Sequence, residues 1–290
     1  MAREQKMRAK KVKKERRPKD PEGRMSLGEH LLELRNRLVI SAIAVLLMAI
    51  VGWIVYPWVF IVLQEPFVEA GRAGLKASIN FQGIGTGLNT RLQMAAYLGI
   101  IFASPVVLYE IWAYITPGLH KHERRYALGF FFSAVPLFFL GCAAGYFMLN
   151  KAVPLLLEFA PQVKGVTQII NYADYLNLLV KTVLAFGIAF DLPVVLVALN
   201  FLGILSGRSM LKAWRWVTLL CFAFTAVMVP TPDPFTMIFM ALPMVALYFI
   251  AVGISIRRDR KREKAAEADL DDDRASVIDA PSSIDEVDER

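Results

Sequence analysis

Ser26-Leu27-Gly28-Glu29-His30-Leu31-Leu32-Glu33-Leu34-Arg35-Asn36-Arg37-Leu38 is a short charged segment that runs directly into an apolar run from Leu38 to Tyr56. Leu27, Leu31, Leu34 and Leu38 recur at helical spacing and make one apolar stripe, whereas Glu29 and Glu33, four apart, share a different face. The run that follows approaches the roughly 20 apolar residues that a helix needs to cross hydrocarbon. The first element is therefore an amphipathic helix that enters a membrane span with acids at its mouth. Glu33 precedes Arg37 by four residues, the order and spacing of an intrahelical ion pair worth about 0.2–0.5 kcal/mol. Such an acid either answers its neighbouring arginine or receives a cation from outside, and spacing alone leaves both readings open.

Composition supports a membrane setting. The 290 residues are 56% hydrophobic with net charge +7, and mean hydropathy is +0.45. Soluble domains are about 45–50% apolar even when glycine is counted. The two cysteines, Cys142 and Cys221, lie inside apolar blocks and read as small core residues rather than a disulfide framework. His120 and His122 have no partners at ligand spacing, so neither a metal site nor a cofactor is expected. The basic start followed by a long first run is unlike a cleavable signal peptide. A Gly-x-x-x-x-Gly-Lys-Ser/Thr loop is absent, which argues against nucleotide-driven pumping.

Six spans are expected, at about 38–56, 92–115, 126–149, 175–202, 216–229 and 235–254. They form a membrane domain over 26–255, with a basic disordered tail at 1–25 and a second disordered tail at 256–290. The N-terminal tail, the loop with Lys121, Arg124 and Arg125, the loop with Arg208, Lys212 and Arg215, and the start of the C-terminal tail are all basic. The alternating loops are mixed, so the positive-inside rule places both termini in the cytosol. The final hairpin is short: about 14–16 residues cover some 21–24 Å of a roughly 30 Å core. Prolines at 105, 136 and 193 predict kinked helices. Asn89, Thr90, Arg91 and Gln93 open the second span, as a cap or as part of an internal polar cluster.

Asp191 stands apart. It lies between Ala185-Phe186-Gly187-Ile188-Ala189-Phe190 and Leu192-Pro193-Val194-Val195-Leu196. An aspartate at the centre of a spanning helix costs about 2.5–3.5 kcal/mol on insertion scales, which marks it as a functional candidate. The structural alternative is a local cap near Pro193. Glu123, in Lys121-His122-Glu123-Arg124-Arg125, reads by itself as an acid balanced by its neighbours.

From Leu31 to Leu38 the chain resembles the start of TatC, the C subunit of the twin-arginine protein translocase. The likeness continues through Ala103-Ser104-Pro105-Val106-Val107-Leu108-Tyr109-Glu110-Ile111-Trp112-Ala113-Tyr114, Pro117 to Arg125, Ala185 to Val194 and Thr231-Pro232-Asp233-Pro234-Phe235. It implies an all-α integral membrane protein of six helices in a concave, cupped bundle, set in the bacterial cytoplasmic membrane with both termini cytosolic. It implies a receptor for twin-arginine signal peptides on folded cargo that acts with the single-span TatA and TatB subunits and draws on the protonmotive force. A homo-oligomer within the complex is expected, and neither enzymatic activity nor nucleic acid is. The family's signal-binding carboxylates fall on Glu33 and Glu123, with His30, Leu34, Arg35, Lys121, His122 and Arg124 as the supporting motif. Asp191 takes the family's intramembrane acidic position, where relatives commonly carry glutamate; it is the candidate contact for a partner helix. Pro66, Pro105, Pro193, Pro232 and Asp233 are read as structural turn positions. The basic N-terminal tail suits anionic lipid, at about 1 kcal/mol per Lys or Arg near the surface.

Two other classes fit less well. An ion-coupled transporter with Asp191 as proton site predicts internal inverted repeats, and 38–125 does not resemble 126–255. An intramembrane aspartyl protease needs two acids at one site. Asp191 and Asp233 would have to fill that role, but Asp233 sits on a turn expected on the non-cytosolic side and no Gly-x-Gly-Asp motif is present.

Overall fold

Runs of apolar residues become helices in a bilayer because every backbone N–H and C=O must find its partner within the segment. The computed structural model follows this rule. It describes residues 27–72, 77–115, 124–158, 168–228 and 234–272. In chain order the elements are α1 (Leu27–Leu63), α2 (Glu65–Arg72), β1 (Ala77–Asn80), α3 (Thr86–Ile115), α4 (Arg124–Glu158), β2 (Gln168–Asn171), α5 (Tyr172–Phe201), α6 (Gly207–Lys212), α7 (Trp214–Met228) and α8 (Pro234–Asp272). Five of these, α1, α3, α4, α5 and α8, are long and apolar enough to cross a membrane, and α7 is a shorter apolar helix of 15 residues. The all-α membrane class expected from the sequence is what the helices show.

The chain divides into two compact units. One gathers the chain up to Val62 with Gly83–Val135; the other gathers Leu63–Gln82 with the chain from Pro136 onward. In the first unit α1 crosses α3 at small residues. A methyl group added at Gly52 would stand 2.7 Å from the Ala95 carbonyl oxygen, and one at Gly99 would stand 2.8 Å from the Val45 carbonyl oxygen. Close backbone approach of this kind supplies the dispersion contacts that drive helix association in lipid. Pro105 lies inside α3. A helical proline removes the hydrogen bond to the carbonyl four residues earlier. Here that carbonyl, on Ile101, accepts from the Ser104 hydroxyl at 2.7 Å.

In the second unit α4 meets α5 through Gly141 and Gly145, where an added methyl would lie 2.5 Å from the Phe186 oxygen and 3.1 Å from the Val183 Cα. Met148, Ala152, Phe186, Ala189, Phe190, Cys221, Met240 and Met244 form the core between α4, α5, α7 and α8. The two short strands pair in parallel, Ala77 with Gln168 through Asn80 with Asn171. Asn171 then caps α5, its side chain accepting from the Ala173 N–H at 3.1 Å. The fully buried Pro66 opens α2, a position where a missing N–H costs nothing. Nearby, the Tyr175 hydroxyl donates to the Leu63 carbonyl at 3.1 Å.

The three largest differences from the sequence reading lie at helix boundaries. Pro57 and Trp58 to Leu63, expected in a loop, continue α1, because apolar flanking residues keep the helix in lipid past a single proline. Helix α4 runs on to Glu158, past the 149 boundary. Helix α8 continues to Asp272, whereas disorder is expected from 256. Lys261-Arg262-Glu263-Lys264-Ala265 is rich in strong helix formers, and it extends an existing helix without a new nucleation cost. Asp259 also anchors this stretch, accepting from Asn200 Nδ2 at 2.9 Å and from the Gly207 N–H at 2.7 Å.

Candidate functional site

His30, Glu33 and Arg37 recur at intervals of three and four, so α1 presents them on one face. That face meets Glu110 and Tyr114 of α3, themselves one turn apart. His30 stacks on Tyr114 with ring centroids 4.4 Å apart and planes inclined by 19°. Arg37 lies between two acids. Its Nε and Nη2 donate to Glu33 Oε1 at 3.1 and 2.6 Å, and its Nη1 donates to Glu110 Oε2 at 2.9 Å.

The Glu33–Arg37 pair predicted from spacing therefore forms, and sequence reasoning missed its third member, Glu110. The side chains of Arg37, Glu33 and Glu110 are 22, 22 and 11% exposed. At that burial the pairs exceed exposed ones, which are worth about 0–1 kcal/mol, because hydrogen bonds to charged groups contribute about 1.5–3 kcal/mol. Two features leave the group unsaturated. Two carboxylates against one guanidinium carry a surplus negative charge. Both bonds to Glu33 also converge on Oε1, so the buried Oε2 has no hydrogen-bond partner among the described residues.

The remaining predicted residues fall in several places. Leu34 is half-buried, and Arg35 is exposed and reaches only its neighbour Asn36, at 3.2 Å. Leu31 and Leu38 of the apolar stripe are exposed. Glu123, Lys121, His122, Pro232 and Asp233 lie outside the described residues, as does the side chain of Arg124, which opens α4. At the other end of the first helix pair, the Arg91 guanidinium sits 4.2 Å from the centroid of the Trp53 ring and donates to the Trp53 carbonyl at 3.3 Å. It therefore binds an aromatic face instead of only capping α3.

Asp191 lies in α5 beside the core of the second unit, 8% exposed. Its Oδ1 has no hydrogen-bond partner among the described residues. Pro193 follows it within the same helix. The preceding residue, Phe190, lines a cavity of about 980 Å³ together with Met148, Met240, Thr236, Glu65 and Lys151. Among the described residues no group of three or more His, Cys, Asp or Glu side chains is placed to hold a metal ion.

Helices of this length and an acid-rich cluster at one end of the first helix pair define a multi-pass membrane protein with a partly buried charged group. The model of the Sec-independent protein translocase protein (TatC) family matches residues 29–243. The TatC protein of Xylanimonas cellulosilytica is 41% identical over 242 residues, covering 83% of this chain and 87% of its own. TatCy of Bacillus subtilis is 30% identical, covering 85 and 95%. A crystal structure of the twin-arginine translocase receptor TatC in DDM superposes with a TM-score of 0.66 at 30% identity, covering 78% of this chain and 99% of that one. The chain belongs to the TatC family. It is a protein of Sec-independent translocation, a transport component of a complex with other Tat subunits.

Proposed function

We propose that this chain is the signal-peptide receptor of the twin-arginine system and that Glu33 and Glu123 bind the paired arginines. The observation that carries the reading is the state of Glu33. It already holds a guanidinium in a partly buried setting, keeps one buried oxygen unpartnered among the described residues, and belongs to a group with surplus negative charge. Arginine is a planar, permanently charged donor matched to carboxylates. Two adjacent arginines call for two acids, one on α1 and one on the segment before α4. The exposed leucines of α1 next to Glu33 would accompany the hydrophobic part of the signal. In this reading both termini are cytosolic, TatA and TatB are the partner subunits, the protonmotive force drives export, and no catalysis takes place. Asp191, buried in α5, serves the partner-helix contact.

Site-specific crosslinking of a twin-arginine signal peptide to positions beside 33 and 123 tests the receptor role, with a twin-lysine peptide as control. Glu33→Gln and Glu123→Gln should each lower signal-peptide affinity about tenfold or more, the loss of one charge-assisted hydrogen bond. Undiminished crosslinking in both variants overturns the assignment.

A further inference from the structure

Glu33 does not wait empty for a signal peptide. Arg37 already places Nε and Nη2 on one of its oxygens and holds Glu110 with the remaining branch, Nη1. We propose that Arg37 is an internal stand-in for a signal arginine, displaced from Glu33 on binding and retained by Glu110. The proposal rests on the reading of Glu33 as an arginine-binding acid and concerns how that site is regulated.

Three features support an exchange over a fixed structural pair. First, the chemistry of occupant and ligand is the same, so a guanidinium replaces a guanidinium and Glu33 is not left bare at the end of the exchange. Leaving a buried charge unpaired is the costly alternative. Second, Arg37 reaches Glu110 through a nitrogen that Glu33 does not use, and Glu110 is the more buried of the two acids. After Arg37 gives up Glu33 it still has an anionic partner. Third, Glu33 Oε2 has no hydrogen-bond partner among the described residues while Arg37 occupies Oε1, so the carboxylate keeps acceptor capacity for a second donor once its side chain turns this buried oxygen outward. Glu110 acts through Arg37 and is a positioning residue; it does not contact the peptide.

The arrangement bears on affinity. An occupied site scales the apparent affinity of every ligand by the fraction of time it is open. A ligand that wins must replace two bonds from a planar fork. An arginine can do so, whereas a lysine offers a compact point charge without that fork. The fork therefore sets the preference for arginine over lysine, while Arg37 lowers both affinities by the same factor.

The test measures the dissociation constant of a fluorescent twin-arginine signal peptide, and of its twin-lysine version, for the full chain in nanodiscs. Arg37→Gln should tighten twin-arginine binding about tenfold, the gain from removing one charge-assisted competitor, and should tighten twin-lysine binding by the same factor. Glu110→Gln should weaken binding several-fold, because Arg37 then has Glu33 as its sole acid among the described residues. In the Arg37→Gln background the Glu110→Gln change should have no further effect. Arg37→Lys keeps the charge and the fold but loses the fork, and should tighten binding to a smaller degree; thermal unfolding of each variant identifies any that is misfolded. Weaker binding by both Arg37 variants overturns the proposal, and so does a Glu110→Gln effect that persists undiminished without Arg37. Unchanged binding by Glu33→Gln instead overturns the receptor-site reading on which the exchange rests.

Discussion

Glu110 and Asp191 are both carboxylates inside apolar helices, yet among the described residues only Glu110 meets a cation, the Arg37 Nη1 at 2.9 Å. Asp191 keeps a buried oxygen without a hydrogen-bond partner among those residues. A buried, unsatisfied polar atom costs about 1–3 kcal/mol, and such a cost persists where function requires the group. Asp191→Leu is therefore expected to raise the stability of the purified protein by about 1–3 kcal/mol in thermal unfolding while lowering export of a twin-arginine cargo. Export at the normal level with normal expression would remove Asp191 from the mechanism. At this scale the sequence was legible where chemistry was local. Spacing gave the Glu33–Arg37 pair, and an acid in an apolar run gave Asp191. Glu110 lies 73 positions from Arg37 and was read only as part of a span. The rule that singled out Asp191, an ionisable residue inside a spanning helix, applies equally to Glu110. Its partner was invisible because only the crossing of α1 with α3 brings the two together.

The crossings are made by glycines whose importance no periodicity reveals. Gly52 and Gly99 lie within apolar stretches where any small apolar residue would keep the hydropathy. Gly99→Ala is expected to destabilise the protein by about 1–3 kcal/mol, the usual range for overpacking, because the neighbouring atoms are the Val45 oxygen and the Ala49 backbone, which cannot rotate away. Gly253→Ala in α8, where an added methyl meets nothing within 4 Å, should be neutral or stabilising by up to about 1 kcal/mol from helix propensity. Parallel thermal unfolding of the two variants checks the contrast; equal losses would mean that close approach is not what holds the crossing. Helix existence was legible at this scale because hydrocarbon demands long apolar runs. Helix ends were not. The first span was expected to end at 56, before Pro57, and the tail from 256 was expected to be disordered. The four-residue strands β1 and β2 are too short for alternation to declare them, and each is completed by a partner far along the chain.

Across the whole molecule, one mismatch remains between helix length and bilayer. Helix α7 has 15 residues, about 22 Å at 1.5 Å per residue, against a core of roughly 30 Å. Its first turn carries Trp214, Arg215 and Trp216, with Trp216 exposed and the Arg215 guanidinium 5.7 Å from the Trp214 ring centroid. Aromatic and arginine side chains in such a place act as interface anchors. They hold one end of α7 at the headgroups and leave the shortfall at the other. Helix α8, with 39 residues, reaches about 58 Å and packs along both α5 and α7, so α7 cannot shift independently, and tilting would only shorten its span further. The bilayer must thin instead, at a cost of fractions of a kcal/mol per Å. Reconstitution into bilayers of increasing acyl-chain length should therefore lower the unfolding temperature steadily. An added thickness of about 5 Å is expected to cost about 1–2 kcal/mol, or a few degrees for a chain of this size. Stability that rises with thickness across the same series would show that α7 is not held at full stretch, and that its shortfall is met by flanking residues extending into the interface.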